Sequence, residues 1–187
     1  IVDTLNAKGM HVVLSTVPVN LRQSAPFLSI GRDGLSVSDE AKLTVLRERA
    51  EAQALNGRWR EAQDLWQQAI ALDAGHADSH FQLATSLENL GELALARSHY
   101  ERALDLDGLR FRADTRINAI IERVAREYDS SNVSFVHSSK GFDRASAPYA
   151  PGWDLLVEHV HYDFSGNAVL ARIFARAIGR HLSPTTP

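Results

Sequence analysis

Apolar and polar positions follow two rhythms along this chain, and the points where one gives way to the other predict its elements. The opening "IVDTLNAKG" is a short amphipathic run stopped by Gly9, the pattern of a helix with a glycine at its C′ position. "MHVVLSTVP" follows as an apolar, β-branched run closed by Pro18, and Val12, Val13 and Leu14 are consecutively apolar, as in a strand covered on both faces of a parallel sheet. A second such strand is "NVSFVH", residues 132–137. Two strands so far apart in sequence predict either a very small sheet under helices or further strands encoded before residue 1.

Between the strands the rhythm is helical and it repeats. Gly57, Trp59, Ala62, Trp66, Ala69, Leu72 and Asp73 recur 34 residues later as Gly91, Leu93, Ala96, Tyr100, Ala103, Leu106 and Asp107. Small residues let paired helices approach and aromatics fill the groove between neighbouring pairs. The spacing resembles that of tetratricopeptide repeats, with residues 43–107 as two units. It predicts helices at 40–55, 58–72, 77–90 and 92–106, and "RFRADTRINAIIERVAREY" (110–128) as a further helix capping the stack. Ala74 and Gly108 stand where that family usually has proline, and the apolar position at Arg49 is charged, as in a degenerate end repeat. About three units are normally needed for independent stability, so two imply shelter from other structure. Trp59, Trp66, Phe81 and Tyr100 fall at packing positions, and His76, His80 and His99 on repeat surfaces.

Two long connections leave the predicted strands, "PVNLRQSAPFLSIGRDGLSVSD" and "HSSKGFDRASAPYAPGWD" (137–154), and both emerge where open parallel sheets build their sites. After the second comes "VEHVHYDFSGN", then a strongly periodic helix from about Asp163 to Leu182 with Val169, Leu170, Ile173, Phe174, Ala177 and Ile178 apolar. His161 therefore sits just before a helix N-terminus, whose positive dipole end favours the neutral ring. Glu158, three positions earlier, is placed to hold one ring nitrogen and leave the other for a hydroxyl. The plain alternative for both is a polar helix entry that binds water. His159 alternates with His161 and is read as structural. Zinc on His159, His161 and Asp163 lacks a further ligand cluster, and Asp163 or Ser165 is more economically an N-cap.

The totals narrow the field. At 187 residues and 44% hydrophobic the chain fits a globular protein with one good core or two small ones. A net charge of −3, with both signs spread along the chain, gives no reason to expect nucleic acid, and Arg110, Arg112 and Arg116 are read as a solvated helix start. The absence of cysteine excludes disulfides and thiolate chemistry, and no apolar run approaches a membrane span. No cofactor is implied, and the compartment is left open. A first residue of Ile rather than Met suggests a piece of a longer chain.

Glu158-x-x-His161 ahead of the final helix, with Gly166-Asn167 after it, resembles the last block of the SGNH (GDSL-like) hydrolases, and "HVVLSTVPVNLRQSAPF" resembles their late central strand and the loop leaving it. The resemblance covers residues 1–37 and 110–182. It implies a flavodoxin-like parallel-sheet domain, His161 as the general base and Glu158, where the family generally has aspartate, as its orienting acid. The family's nucleophilic serine and its oxyanion glycine and asparagine belong to earlier blocks, and no serine here sits in a nucleophile turn. The expected architecture is mostly α with a small α/β part: residues 1–37 and 110–187 as a partial SGNH-like domain, and 38–109 as a helical insertion. The expected function is the C-terminal part of a serine ester hydrolase or acyltransferase acting on an ester substrate. The competing expectation is a repeat module whose groove takes a peptide or protein partner.

Overall fold

The computed structural model describes residues 1–128, 132–146 and 149–182. In chain order the elements are α1 (Val2–Asn6), β1 (Val12–Ser15), α2 (Val37–Leu55), α3 (Trp59–Leu72), α4 (Ala77–Asn89), α5 (Leu93–Leu106), α6 (Thr115–Glu127), β2 (Val133–Val136), α7 (Ser138–Ala145) and α8 (Phe164–Leu182). The protein is mostly helical with one small parallel sheet among the described residues. It divides into two compact units, residues 1–20 with 115–187, and residues 21–114.

In the first unit β1 and β2 pair in parallel, with Val12 opposite Val133 and Ser15 opposite Val136. Helix α6 packs against both strands, α8 packs against β2, and α7 packs against α8. A core of Phe142, Leu155 and Leu156 is closed by Tyr162, Val169 and Leu170. Past the end of β1, the Asn118 side chain pairs with the backbone as a neighbouring strand would: its Oδ1 accepts from the Val17 N–H (2.8 Å) and its Nδ2 donates to the Val17 carbonyl (3.1 Å).

The second unit is built from the 34-residue pattern. Ala62, Ala69, Ala96 and Ala103 are buried where helices meet, and Trp66 and Tyr100 fill equivalent positions between them. Gly57 and Gly91 each take a positive φ (70° and 78°) in the turn joining the paired helices, a conformation other residues adopt only with strain. Helix α2 begins at Val37, three residues earlier than the periodicity predicts, because Ser36 caps it by accepting from the Asp39 N–H (3.1 Å).

Residues 21–36 contain no helix, yet they are strapped to the helical pairs by carboxylates. Asp107 accepts the N–H groups of Phe27 (3.0 Å), Leu28 (3.1 Å) and Leu109 (3.1 Å), and Asp73, its repeat equivalent, accepts those of Arg32 (3.1 Å) and Gly75 (2.9 Å). Ser29 caps α4 by accepting from Asp78 N–H (2.8 Å), and Arg22 pairs with Glu88 (2.9 Å). The buried Arg112 guanidinium donates to Asp107 (3.2 Å) and to the Ser24 carbonyl (2.6 Å).

Several expectations are corrected. The division between units falls at 20/21 and 114/115 rather than at 37/38 and 109/110, because the strap belongs with the helices it bonds. Residues 110–114 are not helical: Arg112 is drawn inward to Asp107, and α6 starts at Thr115 and packs on the sheet. Arg112 is thus structural and buried rather than solvated. The stretch 137–154 contains α7; Gly141, which reads as a loop residue, is where Ile173 of α8 approaches so closely that a Cβ would collide with it. Ala147 and Pro148 of that stretch lie outside the described residues. His80 is not on the surface. It is buried and stacks on His99 (centroids 5.2 Å apart), with Nδ1 atoms 3.0 Å apart, and burial pushes its pKa down to about 4.

Asp107 and Arg112 form a buried ion pair whose breakage leaves a buried charge. Asp107→Ala is expected to cost about 3–5 kcal/mol in urea unfolding, and Asp107→Ala combined with Arg112→Met to cost less than Asp107→Ala alone. Equal losses would show that the backbone amides, not the guanidinium, set the cost.

Candidate active site

The turn that carries Glu158 and His161 is a closed loop anchored at both ends. Leu155 and Leu156 enter it from the core, and Leu156 pairs with Tyr162 in an antiparallel bridge. The Val157 N–H donates to the His161 carbonyl (2.9 Å) and the Asp163 N–H to the Leu155 carbonyl (3.0 Å). Asp163 then caps α8: its Oδ1 accepts from the Gly166 N–H (2.7 Å) and its carbonyl from the Asn167 N–H (2.9 Å). Gly166 is required by packing, since a Cβ there would collide with the Leu155 carbonyl. Asn167 Nδ2 closes the corner by donating to the Tyr162 (3.0 Å) and Asp163 (2.9 Å) carbonyls.

At the tip, the longer reach of glutamate is used to fold its carboxylate back over its own turn. Glu158 Oε1 accepts from the backbone N–H of Val160 (3.0 Å) and of His161 (2.5 Å), and lies 2.7 Å from His161 Nδ1. Partial desolvation opposes ionisation of Glu158, but the His161 and Val160 amides and the His161 ring outweigh it and hold the carboxyl down to about 2. An ionised acceptor at Nδ1 selects the Nδ1–H tautomer and leaves Nε2 as the proton acceptor. The His161 side chain is 79% exposed, so Nε2 faces open space, and among the described residues nothing hydrogen bonds to it.

The other side chains singled out in the sequence divide clearly. His159 does not point away: its Nδ1 meets Glu158 Oε2, so both histidines gather on one carboxylate. Asp163 is engaged as the helix cap, and no group of three among the described residues is arranged to hold a metal ion. Hydroxyl groups at the carboxyl end of β1 are spent on tying it to the start of α7. Ser15 Oγ lies 2.6 Å from Ser138 Oγ, and Thr16 Oγ1 accepts from the Ser139 N–H (3.0 Å). None of these hydroxyls is bonded to His161.

Asn20 is the residue that sequence reasoning missed. It is fully buried, its N–H donates to the His159 carbonyl (3.0 Å) and its Nδ2 to the Glu158 carbonyl (3.1 Å), so the loop leaving β1 pins the turn from behind. Tyr162 adds a second tie through its hydroxyl to the Pro18 carbonyl (3.2 Å). An asparagine two residues after a proline that closes a strand was the available signal, but asparagine is common in any loop.

Two measurements check this geometry. The Glu158 carboxyl carbon, followed by NMR, is expected to stay ionised well below its ordinary value of 4.5 and to titrate near 2. A depressed value means that the contribution of Glu158 is present above 4.5 and lost only as pH falls through 2; a midpoint near 4.5 would show that the amides do not hold it. Asn20→Ala orphans the Glu158 carbonyl and is expected to destabilise the chain by about 1–3 kcal/mol in chemical unfolding, an effect under 0.5 kcal/mol being incompatible with a buried, engaged amide. Against known proteins, the chain matches no protein-family model, no curated protein and no solved structure.

Proposed function

We propose that these residues form the closing part of a serine ester hydrolase or acyltransferase of SGNH type, interrupted by a tetratricopeptide-like pair of helical hairpins. The observation that carries the reading is the 2.7 Å contact between Glu158 and His161 Nδ1, with Nε2 of the same ring open to solvent. It is the acid–imidazole half of a catalytic triad, set immediately before the last helix. The parallel pairing of β1 and β2, and the loop that carries Asn20 from the end of β1 to the turn, support the same assignment.

In this mechanism a serine hydroxyl attacks an ester carbonyl while His161 Nε2 takes its proton. The imidazolium that forms is stabilised by the Glu158 carboxylate across Nδ1–H, and the same proton then passes to the departing alkoxide. Glu158 needs no proton of its own at any step, and its low pKa keeps it charged throughout. The nucleophile and the oxyanion donors are assigned to polypeptide outside these 187 residues, so the chain alone is expected to be inactive.

The second reading is a binding module. The specific observation in its favour is an open groove of about 550 Å³ between α2 and α3, with Val45, Leu46 and Leu72 on its walls and Lys42 at its edge. Such a groove suits the apolar face of a peptide or partner protein.

A short-chain aryl ester assay on the protein extended by its upstream coding sequence separates the two. The hydrolase reading expects turnover that His161→Ala lowers by about 10²–10⁴-fold and Glu158→Gln lowers by a smaller factor. Unchanged turnover in His161→Ala removes that residue from the mechanism, and absence of turnover at any length favours the binding module.

A further inference from the structure

Helix α8 has no acidic residue between Phe164 and Leu182, whereas Arg172, Arg176 and Arg180 recur along it at intervals of four. Like charges at that spacing share a face and repel, which weakens a helix unless something negative offsets them. Elsewhere in the chain arginines meet carboxylates, as in Arg60–Glu92, Arg97–Glu101 and Arg126–Glu122. On α8 they do not. Among the described residues, Arg176 and Arg180 contact no carboxylate, Arg172 donates only to the Ala168 carbonyl (3.1 Å), and Arg144 on the facing helix α7 contacts none either.

These four arginines border two adjoining cavities within the first unit. One, of about 260 Å³, lies between α7 and α8 over Gly141, Val169 and Ile173. The other, of about 570 Å³, lies between α8 and β2 over Phe135, Val136 and Ala177. Arg144, Ile173 and Arg176 line both, so the cavities adjoin at a pair of arginines with apolar residues on either side. The larger is in the size range of small-molecule sites, and the smaller extends it.

We propose that this groove binds a small amphiphile bearing a phosphate monoester, its head held by Arg144 and Arg176 and its apolar chain laid over Phe135, Ile173 and Ala177. A phosphate monoester brings a charge of about −1.5 to −2 and three acceptor oxygens, closer to what several guanidinium groups require than a single carboxylate. The planar fork of arginine matches phosphate oxygens two at a time. The apolar floor selects against bare inorganic phosphate. The site is distinct from the His161 turn: the three arginines of α8 lie about 12–24 Å along that helix from its first residue.

The test uses the whole chain and isothermal titration calorimetry with n-octyl phosphate as monomer, inorganic phosphate and n-octanol. Octyl phosphate is expected to bind on the order of tenfold or more tighter than either of the other two. Arg144→Gln with Arg176→Gln is expected to weaken it about ten- to a hundredfold, with the circular dichroism spectrum and melting temperature unchanged because both side chains are exposed. Arg176→Lys, which keeps the charge and loses the fork, weakens it severalfold and gives a second reading should the double variant lose its fold. Arg123→Gln, on α6 and outside both cavities, leaves binding as it was, and so does His161→Ala. Equal affinity in wild type and the arginine variants, octanol or inorganic phosphate binding as well as octyl phosphate, or binding only to phosphatidic acid vesicles and not to the monomer, would each overturn the proposal.

Discussion

A backbone amide buried in irregular chain must find an acceptor, and at several points where regular structure stops this protein meets that demand with side-chain carboxylates. Asp107 and Asp73 do so for the strap, Asp163 for the first turn of α8, and Glu158 for the tip that presents His161. A carboxylate offers two oxygens and up to four lone-pair directions, so one side chain can order two or three successive N–H groups that no strand partner reaches. The candidate site is a special case of this rule. The same oxygen that accepts the Val160 and His161 amides also touches the His161 ring, so forming the turn and orienting the imidazole are a single event.

That economy sets what the sequence could disclose. The two helical pairs were legible because small residues, aromatics and glycines recur at one spacing, and each repeated position has the same physical task. The acid three residues before His161 was legible for a similar reason: a tight turn can bring those two side chains together without help from elsewhere. Asn20, the strap and the inward turn of Arg112 were not, since each depends on a partner many residues away. Helix α7 was hidden by Gly141, whose missing side chain serves a close approach by Ile173 but reads, in isolation, as a break. His80 was misplaced because helical periodicity marks the buried stripe of a helix without showing that a second histidine will cover its edge.

Charge shows the same limit. A net value of −3 with mixed signs looks featureless along the sequence, yet folding sorts it. In the helical unit Asp73 and Asp107 are engaged by amides, and Glu88, Glu92 and Glu101 by arginines, while α8 keeps three arginines on one face with no acid on the same helix. Average composition therefore says little about local potential, which depends on which charges the fold has already neutralised.

The strap also changes the kind of folding problem the helical unit poses. Arrays of paired helices ordinarily rely on contacts between neighbours in sequence, so they form quickly and can fray from one end. Here Ser29 serves an amide 49 positions away, Arg22 a carboxylate 66 away and Phe27 a carboxylate 80 away. The longest of these closures, from Phe27 to Asp107, encloses both hairpins in one loop, so loop entropy is expected to slow assembly and to favour loss of the finished unit in one cooperative step over fraying hairpin by hairpin.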